Sequence, residues 1–446
     1  MLKRKPTMMI VMILVIFILS AMVAGCTNRD MERYIIDEET KVPIDQENTD
    51  TDYSKNVVEM GKDDYVPASE NDNAKFSFKV FSELMKSKEG ENVFISPTSI
   101  STALLLAYNG AEGATKAEIE KVLELNSSDL EQINKNTYDF ITRINKNNSK
   151  VKINIANSVW VRDDEKILND VVFENYREKV KNSLLAEVEA LDFNNSSDSA
   201  KTINNWVDSK TNHKIPEIIG QDQIDQYLQM VLINAIYFNG EWQNQFNEEF
   251  TKKEDFFTDS GKTKCDMMRQ QERFDYYGDE NLQLIKLPYA LEQQSMYVLL
   301  PAKGYKLDNF LKVANEKIFA GLLNKMEYKE GIVKLPKFKV ECTYNKFADV
   351  LENIGLNIAC SDQADFSSIS SKVSMKIDEV IHKTFIDVDE NGTEAAAVTA
   401  IMMKDTCALE FDPPKPFEMT VDRPFFFVIR DDISGNLLFM GAINEL

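Results

Sequence analysis

The side chains best suited to nucleophilic or metal chemistry are few in this sequence and stand far apart. The histidines are His213 and His382, and no G-x-S-x-G motif presents a catalytic serine. The five cysteines are Cys26, Cys265, Cys342, Cys360 and Cys407. No two have the C-x-x-C spacing of a zinc or redox site, and five are too few for a disulfide scaffold in 446 residues. The sequence therefore predicts no catalytic activity of its own, no metal and no cofactor.

Residues 390–404 have a pattern that could act by changing structure instead of by catalysis. One set of alternate residues is Thr393, Ala395, Ala397, Thr399, Ile401 and Met403. This alternation and the β-branched residues of the second half favour a strand. The small residues at its start would let it enter a sheet without overpacking. Alanine-rich sequence is also helical, so the pattern alone leaves a surface helix equally open.

The elements that must hold this segment belong to an α+β domain with large sheets, from Ala74 onward. Phe78, Phe81 and Met85 recur at helical spacing after an asparagine that could cap the helix, and a second helix is predicted over 97–109. Segments with strand patterns are 153–161, 230–238, 295–300, 331–340 and 423–430. Helices dominate early and strands late, which indicates α+β architecture. The net charge of −22 would repel phosphate backbones, so nucleic-acid binding is disfavoured.

The first 25 residues have the features of a secretion signal. Lys3, Arg4 and Lys5 precede an uncharged apolar run over 8–23, which is short for a spanning helix. The tetrad Val23-Ala24-Gly25-Cys26 resembles a bacterial lipobox, in which Cys26 would be lipidated and become the mature N-terminus. An ordinary signal peptide or an uncleaved anchor helix is the alternative. We expect a lipoprotein signal over 1–25 and a protein anchored through Cys26 to the outer face of the cell membrane.

Residues 26–73 are predicted to form a disordered acidic tether. From Thr27 to Asn73 there are 14 acidic and 5 basic side chains, few apolar residues and no sustained periodicity. Such a composition cannot offset its ordering entropy by burying apolar surface. Docking of Val57, Val58, Met60 and Tyr65 onto the folded body is the alternative.

From residue 74 to 446 the sequence resembles the serpin family, in the family's order and spacing. The motifs are Asn92-Val-Phe-Ile-Ser-Pro-Thr-Ser-Ile100, Gly110-Ala-Glu-Gly113-Ala-Thr115, Ile203-Asn204 with Trp206-Val207, Asn234-Ala-Ile-Tyr-Phe-Asn-Gly-Glu-Trp242, Leu287-Pro288-Tyr289, Leu335-Pro336-Lys337-Phe338, and Val380-Ile-His382-Lys383 followed by Glu390 to Ala397 and by Asp422-Arg-Pro-Phe425. One such block would be weak, but several in register are specific. The resemblance is to inhibitory members, here as a prokaryotic lipoprotein.

The resemblance implies a fold of three β-sheets and eight or nine helices with an exposed reactive-centre loop. In inhibitory serpins a target protease attacks the loop and forms an acyl-enzyme, and the cleaved loop then inserts into the central sheet and carries the protease with it. A strand pattern such as that of 390–404 suits a loop that later becomes a strand. The implied partner is a serine or papain-like cysteine protease in covalent complex with a monomeric inhibitor.

Residue roles follow from the resemblance position by position. The hinge of the loop comprises Glu390, Gly392, Thr393, Glu394, Ala395, Ala396 and Ala397. The family's usual spacing from Glu390 places the reactive bond between Thr406 and Cys407. The cluster called the shutter, beneath the central strands, comprises Ser96, Ser99, Asn234 and His382. Trp242 matches the tryptophan of the breach, near the top of the sheet where insertion begins, and His213 is expected in a surface loop without a role.

Two points depart from the family or stay open. The run from Cys407 to Arg423 is a few residues longer than is common, so the cut could fall a residue or two from Thr406, and a cut after Lys404 would suit a trypsin-like enzyme. Cys407 is either a redox-sensitive thiol or an incidental small residue.

The alternative function is a non-inhibitory serpin that acts as a cell-surface binding or structural protein. Small residues at 393, 395 and 397 favour the inhibitor.

Overall fold

The computed structural model describes residues 73–125, 129–146, 149–393 and 415–446. Within these ranges the α-helices are α1 (Ala74–Ser87), α2 (Pro97–Gly110), α3 (Gly113–Val122), α4 (Leu130–Ile144), α5 (Glu165–Leu168), α6 (Val171–Leu184), α7 (Ser196–Lys210), α8 (Leu307–Leu311), α9 (Glu316–Asn324) and α10 (Phe347–Asn353). Short 3-10 turns cover Gln221–Gln223 and Glu248–Phe250. None of the described helices combines the length and the apolar character that crossing a membrane requires.

The strands of the described residues fall into two hydrogen-bonded sheets. They are β1 (Val93–Ile95), β2 (Val151–Arg162), β3 (Glu187–Leu191), β4 (Met230–Glu241), β5 (Lys252–Thr258), β6 (Gly261–Gly278), β7 (Leu282–Pro288), β8 (Gln294–Pro301), β9 (Glu327–Pro336), β10 (Phe338–Tyr344), β11 (Glu379–Val388), β12 (Gly392–Thr393), β13 (Phe417–Thr420), β14 (Phe425–Asp431) and β15 (Leu437–Ile443). Helices and strands are mixed in one body, which confirms the α+β fold class.

The six-stranded sheet has the order β10-β11-β12-β4-β2-β3. β2 and β4 pair antiparallel along almost their whole length, from Val151↔Gly240 to Val161↔Met230. β4 and β11 are parallel and pair directly at one end only. At the other end the two residues of β12 lie between them. Among the described residues, the boundary between β4 and β11 is therefore closed by direct pairing at one end and not at the other.

The second sheet has nine strands, with the path β1-β15-β14-β8-β7-β6-β9-β13 and β5 paired to β6. Its strand β6 is 18 residues long and pairs β5 and β9 along most of its length, but pairs β7 only at 276–278. The described residues thus form two hydrogen-bonded sheets where three were expected, and the long strand β6 links its neighbours on both sides into one of them. The helices of the described residues number ten, and two of them span four and five residues.

Two local expectations differ from the structure. The predicted strand 331–340 is two strands, β9 and β10, which lie in different sheets on either side of Lys337. The chain changes sheet directly after Pro336, which has no N–H to give to a ladder. Asn73 precedes α1 as expected, but its side chain does not cap that helix. Its Oδ1 accepts the Leu437 N–H at 2.8 Å instead, so it ties the helix start to β15.

Both faces of the six-stranded sheet are buried. On one face Ile236 and Phe238 of β4 pack in a core shared with the nine-stranded sheet. On the other face α7 packs its Ile203 and Val207 in a cluster with Ile381 of β11 and residues of the first half of β4. Helix α2 is buried almost throughout, with Ser96 as N-cap and a proline in its first turn. These layers enclose the boundary between β4 and β11.

Candidate functional site

The candidate site is the boundary between β4 and β11, which we call the seam. In its lower part, residues 231–235 of β4 pair directly with 379–383 of β11. In its upper part, 236–239 and 384–387 make no such pairing within the described residues. At the top Thr393 pairs with Val388 of β11 and with Gly240 of β4 at the same time. A strand thus begins between the two neighbours and is described for two residues.

Position 392, where this short strand begins, requires a glycine. Its φ is +157°, and a Cβ at this position would lie 2.0 Å from the carbonyl oxygen of Gly240. That contact is with backbone, which has no side-chain rotamer by which to move away. A larger residue would push the chain away from β4, so glycine is required by the close approach as well as by the backbone angle.

Tyr289 and Trp242 hold the start of the hinge through hydrogen bonds, and their rings stack on each other. Thr393 is 1% exposed, and its Oγ1 lies 2.6 Å from the Tyr289 hydroxyl oxygen. The Trp242 ring stacks on the Tyr289 ring with centroids 4.7 Å apart. Trp242 also donates its indole N–H to the Asp389 carbonyl at 3.0 Å and its backbone N–H to the Asn391 carbonyl at 2.8 Å. The tryptophan therefore holds both residues that flank Glu390.

Glu390 is an almost fully buried carboxylate at the start of the hinge. Its oxygens accept hydrogen bonds from Lys337 Nζ at 2.8 Å and from Thr251 Oγ1 at 2.7 Å. Burial alone would raise the pKa of this carboxyl, but the bonds from Lys337 and Thr251 outweigh it and hold the pKa below its usual range. Burial would lower the pKa of Lys337, but its bond to the Glu390 carboxylate raises it. The pair stays charged and anchors the hinge to the strand junction at Lys337.

A buried polar cluster lies at the lower seam. His382 of β11 and Asn234 of β4 are direct register partners. His382 Nε2 accepts the Ser96 N–H at 3.0 Å, and Asn234 Nδ2 donates to the Ser99 carbonyl at 2.9 Å. Burial lowers the pKa of His382 to about 3, so the ring is neutral and carries its proton on Nδ1. The structure therefore brings together all four residues predicted for the shutter.

Three polar atoms of this cluster have no hydrogen-bond partner among the described residues. They are Ser99 Oγ, Asn234 Oδ1 and His382 Nδ1, and each is buried. A buried polar atom without a partner costs roughly 1–3 kcal/mol. The cluster can therefore take up a further hydroxyl or amide, which would lower its free energy.

A protein-family model matches the chain over the whole of its predicted folded domain. Residues 71–446 match the model of the family described as Serpin (serine protease inhibitor). The chain belongs to the serpin family. The α+β fold of the described residues agrees with that membership.

Three similar proteins show how far this serpin matches known ones. An uncharacterized serpin-like protein of Methanosarcina acetivorans is 34% identical, over 96% of this chain and 97% of its own length. The human leukocyte elastase inhibitor is 33% identical, over 84% of this chain and 98% of its own. The crystal structure of tengpin, a thermophilic serpin, in its native state superposes with a TM-score of 0.75 and 31% identity, over 86% of this chain and 96% of that one.

Several residues of this serpin site escaped the sequence analysis. Asn157 of β2 is buried and is the register partner of Asn234, whose Nδ2 donates to its Oδ1. Its polar character in the middle of a buried strand was the available signal. Lys337, Thr251 and Tyr289 also contact the hinge. Lys337 and Tyr289 belong to motifs named above, but no contact with the hinge was predicted for any of the three. Each is more than 50 residues from the side chain that it binds.

The remaining predicted residues divide into those inside and those outside the described ranges. His213 lies in an exposed turn after α7, 2.6 Å from Asp208, as expected. Cys265 is buried, and Cys342 and Cys360 are half-buried free thiols. The described ranges hold no group of three or more potential metal ligands. Outside those ranges lie the signal 1–25, the tether up to residue 72, and Cys26, Glu394, Ala395, Ala396, Ala397, Thr406 and Cys407.

Proposed function

We propose that this serpin inhibits a serine or papain-like cysteine protease as a suicide substrate and has no catalytic activity of its own. The protease attacks the loop at Thr406–Cys407 and becomes linked to the new C-terminus as an acyl-enzyme. The segment from Thr393 onward then enters the seam as a new strand and displaces the bound protease. The observation that carries this proposal is Thr393, which is already paired to β4 and β11 above a stretch where the described residues of these two strands do not pair with each other.

The register of the seam fixes where each inserted residue would lie. Continuing antiparallel from Thr393, residues 394–397 would meet 239–236 of β4 and 387–384 of β11, which do not pair with each other within the described residues. From residue 398 onward the new strand would have to separate the direct pairs of the lower seam. The first four residues can therefore enter without breaking a ladder, and the next five replace one ladder with two.

The inward face of the inserted strand suits the core that it would meet. Side chains at one register level of a sheet point to the same face, so residues 395, 397, 399, 401 and 403 would follow Thr393 inward. None of them is charged. A buried charge on this face would cost several kcal/mol and stop insertion. About a dozen ladder residues at ~1 kcal/mol each, together with apolar burial, then compete with an ordering cost of about 1–2 kcal/mol per residue.

Thr399 would reach the level of His382 and Asn234 in this register. Its hydroxyl could accept the Nδ1–H of His382 and donate to Oδ1 of Asn234, both of which have no partner among the described residues. The native lower seam would thus hold unsatisfied polar groups that the inserted strand satisfies. This is a direct source of free energy for insertion.

The relatives and the sequence supply the remaining parts of the proposal. One relative bears the name leukocyte elastase inhibitor, which supports a protease as partner. Attachment through a lipidated Cys26, exposure at the outer face of the membrane, a tether over 26–73 and a monomeric state remain proposals from the sequence. Metabolic labelling with a radioactive fatty acid tests the anchor. Label on the wild-type protein and none on Cys26→Ser is expected, and equal label would contradict it.

The inhibitory function is tested by incubating the full chain with a panel of serine and papain-like cysteine proteases. At least one protease should give an SDS-resistant complex of summed mass, because the acyl bond is covalent. Mass spectrometry of the small peptide released from the same reaction would locate the cut. Cleavage of the loop by every protease without a complex would contradict inhibition and favour a non-inhibitory surface protein.

A further inference from the structure

The base of the seam carries contacts that neither the loop nor the polar cluster explains. Asp378 immediately precedes β11, and its Oδ2 accepts the backbone N–H groups of Gln229 at 2.6 Å and of Met230 at 3.1 Å. The Asp378 N–H donates to the Met230 carbonyl at 3.2 Å. Three hydrogen bonds, two of them to a carboxylate, thus join the start of β11 to the start of β4.

A carboxylate in this place is costly to keep. Burial raises the pKa of Asp378, and the two N–H groups that it binds and the nearby cations Lys376 and Arg162 oppose that rise without cancelling it. A carboxylate that accepts two backbone N–H bonds is a stronger link than a neutral pair. The partners belong to the neighbouring strand, so the link spans the seam and does not merely close a local turn.

The register places this link at the end of any strand that enters the seam. Counting antiparallel from Thr393, residue 402 would lie between Val231 and Glu379, and residue 403 between Met230 and Asp378. Residue 404 would lie beside Gln229. The bonds of Asp378 therefore need not open until Met403 and Lys404 take their places.

We propose that Asp378 is a basal clasp that holds β4 and β11 together and opposes only the final step of strand insertion. The proposal rests on the insertion mechanism proposed above and assigns Asp378 a positioning role within it. A short strand can fill the upper seam while the clasp stays closed. A full-length strand must break the hydrogen bonds of the clasp and replace them with ladder bonds of its own. The clasp therefore allows complete insertion only for a strand whose last residues are in register with β4 and β11.

The clasp is tested with the full uncleaved chain and two labelled synthetic peptides. The short peptide has the sequence of 393–398, and the long peptide that of 393–404. The short one would end at the level of Lys383 and Ala235, the uppermost direct pair of the native seam and five residues above the level of Asp378 and Met230. Annealing rates are followed on native gels. Both peptides must displace the chain's own Thr393, so the cost of that step is the same in the two rates that are compared.

Asp378→Ala should accelerate annealing of the long peptide by roughly tenfold and leave the short peptide unchanged, because the lost bonds lie only on the long path. Asp378→Asn keeps one acceptor oxygen and should give a smaller acceleration, and it preserves the test if the alanine variant does not fold. The matched control is Asp225→Ala, since the Asp225 carboxylate accepts the N–H of nearby Tyr227 at 2.8 Å and this bond does not span the seam.

Three results would overturn the clasp. Equal acceleration of both peptides would show general loosening of the sheet, and no acceleration of the long peptide would show that Asp378 does not oppose insertion. If neither peptide anneals to wild type or variant, no strand enters the seam, and the proposed function fails together with the clasp. The first two results leave the proposed function standing, so the two failures are distinguishable.

Discussion

The upper and lower parts of the seam are built from the same two strands but differ in how those strands contact each other. In the upper part β4 and β11 do not pair with each other within the described residues, and apolar residues such as Phe238 and Ile386 face the core. In the lower part they pair directly over five residues, with a polar cluster behind them and Asp378 at the base. Among the described residues, the upper seam has no ladder between β4 and β11, whereas the lower seam has one although three of its buried polar atoms lack hydrogen-bond partners.

This difference indicates how one sheet can both admit and delay a new strand. In the part of the chain that the structure describes, the facing backbone groups of the upper seam form no ladder with each other and adjoin a hinge that is already paired, so entry requires few bonds to be broken. The lower seam must lose its direct ladder before it gains two, so it sets a barrier. A protein of this kind would be held in its native state kinetically, with the inserted state lower in free energy.

The largest expected effect comes from placing a charge at the entrance of the upper seam. Thr393→Arg would put a guanidinium where the threonine is 1% exposed and bound to Tyr289. Burying it unpaired costs several kcal/mol, so the ratio of covalent complex to cleaved inhibitor should fall by a hundredfold or more. The ratio is read from SDS gels after protease challenge.

Thr263→Arg is the matched control, because Thr263 of β6 is exposed. It should leave the ratio of complex to cleaved inhibitor unchanged. Undiminished complex formation by Thr393→Arg would mean that the strand does not enter at the upper seam. The proposed division into an upper part that admits the strand and a lower part that delays it would then be wrong.

The second effect concerns pH and belongs to the lower seam. The pKa of His382 falls from an ordinary 6.5 to about 3 on folding, so below pH 6.5 the unfolded chain binds a proton that the native state refuses. Stability is unaffected by this group above pH 6.5 and is lost as the pH falls toward 3. The loss between pH 7 and pH 5 is about 2 kcal/mol. Urea unfolding at the two pH values measures it.

His382→Gln should remove this part of the pH dependence, whereas His213→Gln, in an exposed turn, should retain it. An identical pH dependence in wild type and His382→Gln would show that the lower seam does not keep the imidazole neutral. The closed half would then lack the polar cost that distinguishes it from the open half.

The smallest effect links the two parts through Thr399. Thr399→Val removes the hydroxyl that would satisfy His382 and Asn234, so the stabilisation gained on loop cleavage should shrink by about 1 kcal/mol. Thr399→Ser keeps a hydroxyl and should restore it. The measurement is the melting temperature of native and cleaved protein for each variant. An equal gain in wild type and Thr399→Val would mean that the inserted strand does not meet the cluster in this register.

The sequence predicted the large elements of the fold well, because their signals are local. The buried alternation of β2 and the helical spacing of α1 each appear within a dozen residues, and both elements are present. The break between β9 and β10 was missed because both halves have strand composition and only the change of sheet separates them. A proline at the end of the first half was the sole local sign.

The candidate site was predicted unevenly for a similar reason. Resemblance supplied the four polar residues, and the structure brings them together. The partners of Glu390 and Thr393 could not be found in this way, since Lys337 lies 53 and Tyr289 lies 104 residues away along the chain. The role of Asp378 depends on which backbone it faces across the seam, and that is fixed by register, which a single strand's pattern does not reveal.

The most direct test of the central claim is the melting temperature of the protein before and after its loop is cut. We expect a rise of roughly 10 °C or more on cleavage, since inserting a strand should add several kcal/mol and a domain of this size gains about 2 °C per kcal/mol. A melting temperature that stays the same after complete cleavage would show that no strand enters the seam between β4 and β11.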